Sequence, residues 1–243
     1  MINTILFDLD GTLLRFKQDE FIETYFSKLA KVFTKLGLDP QLSVKAVWAG
    51  TRAMMQNDGT KPNIGRFWDT FSEIMNINDV QLNMIEAACD LFYTTDFNQV
   101  KSIVELSDIP KYVTKQLKDM RYTLVLATNP LFPECGVLSR LGWVDIDPSD
   151  FSLITHYANS TFCKPNLGYY LEILSKIGKN PNECLMVGNN PIEDMVVSDL
   201  GMQVFLVTDF LEDNTNIDIT QFRRGSLSEA ELFLLSLPKI NDN

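Results

Sequence analysis

The sequence predicts an α/β fold in which a Rossmann-like, doubly wound parallel sheet is interrupted by an inserted all-helical segment. Three observations support this prediction. A strand-like run, NTILFDLD, lies near the start; a long stretch with helical periodicity and almost no strand-like runs follows it; and the remaining chain alternates between helical and strand-like segments. Strands that are apolar on both faces and alternate with helices are typical of a parallel sheet covered by helices on both sides.

Periodicity predicts the helical insertion. In DEFIETYFSKLAKVFTKLGL the apolar residues Phe21, Tyr25 and Leu29 recur at helical spacing, and Gly37 suits the end of this helix. Three more helices are predicted in PQLSVKAVWAGTRAMMQNDG, GRFWDTFSEIM and DVQLNMIEAACDLFY. We therefore predict an α/β core formed by residues 1–15 and 100–243, with a helical cap at residues 16–99 between its two parts.

The second part of the predicted core alternates between the two element types. Helices are predicted in IPKYVTKQLKDM, LFPECGVLSRLGW, GYYLEILSKIG and IEDMVVSDLGM. Strands are predicted in YTLVLAT, FSLITHY, ECLMVGN and QVFLVT. Together with the first strand they would form one sheet, and in such folds the ligand crevice lies beyond the carboxyl ends of the strands.

Composition limits the partners of the protein. Its 243 residues carry a net charge of -11, which disfavours a nucleic-acid partner because such a partner needs a basic face. No apolar run reaches the roughly 18 residues that a membrane span needs, and no leader pattern is recognisable at the start. We therefore expect a cytoplasmic protein without a membrane partner, acting as a monomer or a homodimer.

The cysteines and the single histidine limit the chemistry further. Cys89, Cys135, Cys163 and Cys184 include no C-x-x-C pair, so we expect free thiols in a reducing compartment. A Ser-His-Asp triad would have to use His156, and no serine elbow accompanies that residue. A structural or surface role is therefore the favoured interpretation of His156.

Polar residues follow four of the predicted strands or precede the next helix, where the crevice is expected. They are Asp8 and Asp10 with Gly11 and Thr12, then Thr128 and Asn129, then Lys164, and finally Gly188 and Asn189 with Glu193 and Asp194. Each group alone is typical of a turn or a helix cap. Because the carboxyl ends of parallel strands share one edge of the sheet, the groups together indicate a single site.

The motifs FDLDGTLL and LATN, the lysine of CKPN, and VGNNPIEDM resemble those of the haloacid dehalogenase-like hydrolase superfamily. The helical stretch after FDLDGTLL resembles the helical cap (C1-type) that this family inserts there. Most members with both aspartates of the first motif are magnesium-dependent phosphatases. The resemblance implies a Mg²⁺-dependent phosphatase that hydrolyses a small phosphorylated metabolite through an aspartyl-phosphate.

The resemblance also implies a role for each catalytic side chain. Asp8 would be the nucleophile that accepts the phosphoryl group, and Asp10 would be general acid to the leaving alkoxide and then base to water. Thr128 and Asn129, with backbone N–H groups, would bind phosphoryl oxygens. Lys164 would offset the charge of Asp8 and of the phosphate, and would contribute to substrate binding.

The metal implied by the resemblance is Mg²⁺, which prefers oxygen ligands and keeps several waters. Its ligands would be Asp8, the backbone carbonyl of Asp10, and Asp194. The sequence departs from the family at Asn189, where an aspartate is common. An amide oxygen can ligate Mg²⁺ or bind its water but adds no charge, so we expect weaker metal binding without loss of function. The resemblance does not decide whether Glu193 is also a ligand of Mg²⁺.

Three alternatives to a phosphatase remain. A phosphomutase of the same superfamily would use the same aspartyl-phosphate. A dehalogenase has less support, because Asp10 and an apparent metal ligand, which carbon–halogen displacement does not require, are both retained. A non-catalytic binding protein that keeps the fold is supported by Asn189 alone.

The cap contributes two further sets of residues. Its cations and those near the hinge are interpreted as surface charges, with contact to an anionic leaving group as the alternative; they are Arg15, Lys17, Arg52, Lys61 and Arg66. Its large aromatic residues are interpreted as helix-packing core rather than as a substrate platform; they are Trp48, Phe67, Trp68 and Phe71.

Overall fold

A computed structural model describes residues 1–212 and 217–240 and shows a parallel sheet with helices on both faces. The strands are β1 Thr4–Phe7, β2 Thr123–Leu126, β3 Leu153–Ile154, β4 Cys184–Gly188, β5 Gln203–Val207 and β6 Arg224–Gly225. The α-helices are α1 Gln18–Lys35, α2 Pro40–Met55, α3 Asn63–Met75, α4 Asp79–Thr94, α5 Ile109–Asp119, α6 Glu134–Trp143, α7 Leu167–Ile177 and α8 Leu227–Leu235.

The strand order is β3-β2-β1-β4-β5-β6, and every neighbouring pair is parallel. The chain adds β2 and β3 on one side of β1, and then β4, β5 and β6 on the other. The order therefore reverses between β1 and β4, which is where an open α/β sheet forms its ligand crevice. The predicted α/β class with a doubly wound parallel sheet is confirmed.

Strand β1 shows why the sheet is covered on both faces. Ile5 and Phe7 are buried in one apolar cluster, and Leu6 between them is buried in a second cluster on the opposite face. Helix α7 packs its apolar side into the second cluster through Tyr169 and Ile173. Alternation of side chains along a strand thus places apolar residues on both faces, as in other parallel sheets.

In the sequence, helices α1 to α4 follow β1 and precede the other strands, as the periodicity predicted. The Asp39 side chain accepts hydrogen bonds from the first turn of α2, and Asn78 and Gln81 form a capping box at the start of α4. The apolar core of these helices is continuous with one face of the sheet, since Phe21 and Phe71 belong to the same cluster as Ile5.

The division into a core (1–15 and 100–243) and a cap (16–99) stays a prediction. Residues 213–216 and 241–243 of the predicted core lie outside the described residues. Within the described part of the chain, no helix has the length and apolar character that crossing a bilayer requires. All four cysteines are free, as predicted.

Two of the predicted secondary-structure elements differ in the structure. The strand expected in FSLITHY is reduced to β3, and His156 lies beyond it. In IEDMVVSDLGM an α-helix is replaced by turns and a 3₁₀ helix, Met195–Leu200. There the Asp194 carboxylate is held by the backbone N–H of Asn190, which favours a tight turn over an α-helical first turn.

Two elements near the end of the described chain were not predicted. Strand β6 is too short to give a periodic signal. Helix α8 does carry a recognisable start, because Ser226 and Glu229 form a capping box directly before it. This signal was present in the sequence and was missed.

Candidate active site

The loop after β1 places Asp8 at the crevice. The backbone N–H of Asp8 donates to the carbonyl of Val187 in β4 at 2.9 Å, which ties the loop to the neighbouring strand. Gly11 has a φ of 78°, and a Cβ there would come within 2.1 Å of the Asn189 amide nitrogen, so only glycine fits. The Thr12 hydroxyl lies 3.2 Å from both the Asp8 carboxylate and the Asn189 amide oxygen. The loop is thus braced against the fourth motif.

Lys164 connects two of the predicted acidic residues. Its ammonium donates to Asp8 Oδ1 at 2.7 Å and to Asp194 Oδ1 at 2.6 Å, and its side chain is almost fully buried. Burial alone would lower the pKa of Lys164, but Asp194 and Asp8 outweigh burial and raise it well above its ordinary value. The lysine is therefore charged and counteracts the repulsion between the two carboxylates.

Asp194 reaches this position because the strand before it ends in glycine. A Cβ at Gly188 would come within 2.2 Å of Asp194 Oδ2, a distance that no side chain could occupy. The same oxygen accepts a hydrogen bond from the backbone N–H of Asn190 at 3.0 Å. Burial raises the pKa of the Asp194 carboxyl and Lys164 opposes that shift. Asp194 is therefore an acidic group held inside the site rather than at the surface.

Asp10 has a buried partner that sequence reasoning missed. Arg140 of α6 is fully buried and pairs with Asp10 Oδ2 at 2.5 Å, while its guanidinium lies 4.2 Å from the centre of the Phe132 ring. Burial raises the pKa of Asp10, the Arg140 guanidinium opposes this, and Asp8 adds to it. The other oxygen, Oδ1, has no hydrogen-bond partner among the described residues. Arg140 thus holds one oxygen of Asp10, and the other has no hydrogen bond to a described residue.

Thr128 and Asn129 follow β2 and line the same pocket as the aspartates. The carbonyl of Thr128 accepts hydrogen bonds from the Thr155 hydroxyl at 2.7 Å and the Tyr169 hydroxyl at 2.8 Å, and these two bonds hold the loop in place. The Asn129 amide donates to Glu193 Oε2 at 3.1 Å. Thr128 and Asn129, two of the three predicted substrate-binding residues, therefore lie at the site beside the fourth motif.

The pocket at these strand ends has a volume of about 110 Å³ and is strongly acidic. Besides the three aspartates it is lined by Glu193 and by Glu212, which was not predicted. Burial raises the pKa of each glutamate to about 7. Glu212 follows β5 and its carboxylate accepts from the Asn190 side chain at 3.1 Å. The rule that located the other site residues at strand ends could have found it.

The donor set of this pocket fits Mg²⁺. The carboxylates outnumber Lys164 and Arg140, the cations that contact them, so a divalent cation would relieve the remaining repulsion. No three His, Cys, Asp or Glu side chains of the described residues are arranged to hold an ion by themselves. Mg²⁺ is commonly bound by one or two carboxylates together with waters, and the aspartates of this pocket can provide such carboxylates.

Asn189 is held firmly by the protein. Its amide nitrogen donates to the carbonyl of Phe210 at 2.6 Å, and its amide oxygen faces the Thr12 hydroxyl. An aspartate could not donate to that carbonyl. Asn189 therefore has a structural role in this chain, and its part in binding Mg²⁺ stays a prediction.

The raised pKa of Glu212 predicts a pH-dependent stability in the metal-free protein. At pH 8 the folded state must ionise this carboxyl at a cost that the unfolded state does not bear. In EDTA, Glu212→Gln should therefore raise the free energy of unfolding by about 2 kcal/mol at pH 8, after discounting for partial exposure. The gain should shrink by more than half at pH 5, where the folded state already holds the proton.

Urea unfolding at both pH values measures this gain. Glu73→Gln, at an exposed position of α3, is the matched control and should change little at either pH. Equal gains at pH 5 and pH 8 would contradict the assigned cause.

Acidic side chains and a buried lysine thus meet at the switch point of a parallel α/β sheet. The model of the haloacid dehalogenase-like hydrolase family matches residues 2–196, and the chain belongs to that family.

Solved structures share the fold at low sequence identity. A HAD phosphatase from Thermococcus onnurineus is 16% identical with a TM-score of 0.60, covering 98% of this chain and 100% of its own. A 2-haloacid dehalogenase from Pseudomonas syringae is 17% identical with a TM-score of 0.65, covering 97% and 99%. A HAD family enzyme from Bacteroides thetaiotaomicron, in complex with magnesium and inorganic phosphate, is 18% identical with a TM-score of 0.52, covering 88% and 98%. No curated protein matches the sequence.

Proposed function

We propose that this hydrolase is a Mg²⁺-dependent phosphatase that hydrolyses a small phosphorylated metabolite through an aspartyl-phosphate on Asp8. The observation that carries the proposal is the contact of Lys164 with both Asp8 and Asp194 in a buried acidic pocket. A nucleophilic carboxylate next to a fixed ammonium can receive a phosphoryl group, because the ammonium offsets the charge of both.

The reaction would proceed in two displacements. A carboxylate oxygen of Asp8 attacks phosphorus, and Asp10 gives a proton to the departing alkoxide. Water then attacks the phosphorus of the aspartyl-phosphate, Asp10 takes its proton, and inorganic phosphate leaves with Asp8 regenerated. Thr128 and Asn129 bind phosphoryl oxygens during both steps.

Burial raises the pKa of Asp10, and an upward shift suits a carboxyl group that gives a proton and then takes one. Arg140 keeps the carboxyl oriented toward the pocket through Oδ2. Asp8, Asp194, Asn189 and the Asp10 carbonyl would hold Mg²⁺, which when bound would polarise the phosphoryl oxygens and neutralise charge.

A direct test is hydrolysis of p-nitrophenyl phosphate with Mg²⁺ and with EDTA. We expect release of nitrophenol and phosphate that requires Mg²⁺. Activity that persists in EDTA would contradict the proposal. Halide release from 2-chloropropionate without Mg²⁺ would favour a dehalogenase, and activity on a sugar phosphate that needs a bisphosphate activator and releases little phosphate would favour a phosphomutase.

Asp194→Asn tests the proposed metal ligand. The amide removes one negative charge while keeping the shape of the side chain, so the Mg²⁺ concentration for half-maximal activity should rise about tenfold or more. Asp199→Asn, at an exposed position of the 3₁₀ helix that follows Asp194, is the control and should not change this concentration. An unchanged Mg²⁺ requirement in Asp194→Asn would show that another residue is the ligand.

The alternatives have less support at the site. A phosphomutase must also bind a second anionic group, and no lysine or arginine of the described helical insertion lines the acidic pocket. A binding protein without activity would not need to keep Asp8, Asp10 and Asp194 in contact with the buried cations Lys164 and Arg140.

A further inference from the structure

A second cavity adjoins the acidic pocket. It lies among the helices of the insertion, has a volume of about 180 Å³ and is partly open to solvent. Gln18, Leu131 and Phe132 line both spaces. Leu131 and Phe132 directly follow the loop that carries Thr128 and Asn129. A group bonded to a phosphoryl held at Asp8 would therefore extend toward this cavity.

The walls of the cavity are mainly apolar, with Gln18 and Thr51 as polar members and the indole N–H of Trp68 without a hydrogen-bond partner among the described residues. Most of the lining residues are aromatic, including Phe26 and Trp48, whose rings stack at 5.0 Å, and Tyr25, whose ring lies 5.6 Å from that of Phe132. The hydroxyls of Tyr25 and Tyr93 hydrogen-bond each other at 2.7 Å, so each has a partner within the protein. None of the described residues that line the cavity carries a formal charge.

The interpretation of Trp48 as helix-packing core is corrected by the structure, whereas Phe67 packs against the apolar core as predicted. Trp68 and Phe71 are buried core residues as predicted, but Trp48 is 46% exposed and forms part of the cavity wall. Its ring is held by Phe26 rather than by close packing on all sides. Trp48 and Phe67 therefore line a space that a ligand can enter.

The cations of the insertion do not serve this cavity. Lys61 pairs with Asp69 and Arg66 with Asp58, both on the surface. Arg52 is exposed, and Lys17 pairs with Glu20 at 3.6 Å. Arg15 pairs with Asp209 at 2.9 Å in the core part of the chain. Contact with an anionic leaving group, the alternative that the sequence left open, has no support here.

We infer that the leaving group of the substrate is an uncharged, apolar alcohol about the size of one six-membered ring, aromatic or aliphatic; this rests on the proposed phosphatase function. An apolar cavity of about 150 Å³ can hold a benzene molecule, so the volume here suits such a group. Placing a carboxylate or second phosphate among these walls would require desolvating a charge that nothing in the lining compensates. Polyhydroxylated sugars would lose hydrogen bonds to water for the same reason.

The experiment compares four substrates with Mg²⁺: benzyl phosphate, acetyl phosphate, 2-phosphoglycolate and glycerol 3-phosphate. Benzyl phosphate should exceed 2-phosphoglycolate and glycerol 3-phosphate in kcat/KM by about 100-fold. Acetyl phosphate is small enough to react without filling the cavity, so its hydrolysis tests the phosphatase function separately. No hydrolysis of any substrate would overturn the proposed function, whereas hydrolysis without preference for benzyl phosphate would overturn this inference.

Val47→Phe tests whether the cavity itself gives the preference. Val47 lines the cavity from α2, and the larger ring would fill it. The ratio of kcat/KM for benzyl phosphate to that for acetyl phosphate should fall at least about tenfold. Thr51→Phe, one turn further along, is the second variant in case the first does not fold. Leu42→Phe adds the same ring on the exposed side of α2 and should leave the ratio unchanged.

Binding can be measured without catalysis. The ¹⁹F resonance of 4-fluorobenzyl alcohol should broaden with wild-type protein and with Leu42→Phe, in EDTA and without phosphate, and should stay sharp with Val47→Phe or Thr51→Phe. Equal broadening in all of these proteins, or none with the wild type, would overturn the inference.

Discussion

Asp8→Asn is expected to lower kcat for p-nitrophenyl phosphate by about 10⁴-fold or more, because the amide cannot form the phosphorylated intermediate. The fold should survive this change. Asp8 lies 2.7 Å from Lys164, and the lysine keeps Asp194 as an ionic partner at 2.6 Å after Asp8 is neutralised. A spectrophotometric assay with Mg²⁺ measures the loss, and a thermal unfolding curve confirms that the protein is folded.

The matched control is Asp19→Asn. Asp19 is an exposed residue in the first turn of α1, so the same chemical change there should leave the rate unaltered. Residual activity of Asp8→Asn within tenfold of the wild type would mean that another group accepts the phosphoryl, or that water attacks the substrate directly.

Asp10→Asn is expected to lower both activity and stability, for different reasons. Loss of the proton donor should reduce kcat by about 10²–10⁴-fold. Loss of its charge leaves the Arg140 guanidinium buried without an ionic partner, and arginine does not deprotonate in proteins. Breaking a buried ion pair from one side costs about 3–5 kcal/mol, so urea unfolding should show a loss near 3 kcal/mol since the amide can still accept a hydrogen bond.

A second substitution separates these two effects. Asp10→Asn combined with Arg140→Met removes the unpaired cation and replaces it with an apolar side chain of similar length beside Phe132. The double variant should recover most of the lost stability and none of the lost activity. Recovery of activity together with stability would show that Asp10 acts only by keeping the site folded, and would remove it from the proton transfer.

Much of the candidate site could be predicted because most of its residues follow the carboxyl end of a strand. Asp8, Thr128 and Asn189 follow apolar runs that are easy to recognise, and parallel strands bring such positions to one edge. Lys164 was found by the family motif rather than by periodicity. The contact of Lys164 with Asp8 and Asp194 depends on the tertiary structure, and in the sequence only that motif indicated it.

Arg140 could not be found in this way. In LFPECGVLSRLGW it stands among apolar residues on a helix, where an arginine is usually interpreted as reaching solvent. Only the packing of α6 against Phe132 and the loop of Asp10 shows that it points inward. Ion pairs of this kind depend on three-dimensional proximity between residues that are distant in the sequence.

The cavity could not be predicted from the sequence either, for a different reason. A helical stripe of aromatic residues predicts burial, and it does not indicate whether the buried space is filled. Trp48 and Phe67 satisfy the pattern of core residues and yet line a void. Short elements such as β3 and β6 were misjudged because two residues carry no measurable period.

The most direct test of the central claim, that Asp8 accepts a phosphoryl group beside Lys164 with the help of Mg²⁺, is ¹⁹F NMR with beryllium fluoride. This anion adds to a nucleophilic carboxylate as an analogue of the phosphoryl group. Wild-type protein with Mg²⁺ should give resonances of a bound adduct that vanish in EDTA and are absent in Asp8→Asn. An adduct that forms without Mg²⁺, or that persists in Asp8→Asn, would contradict the account, as would its absence from folded wild-type protein at saturating Mg²⁺.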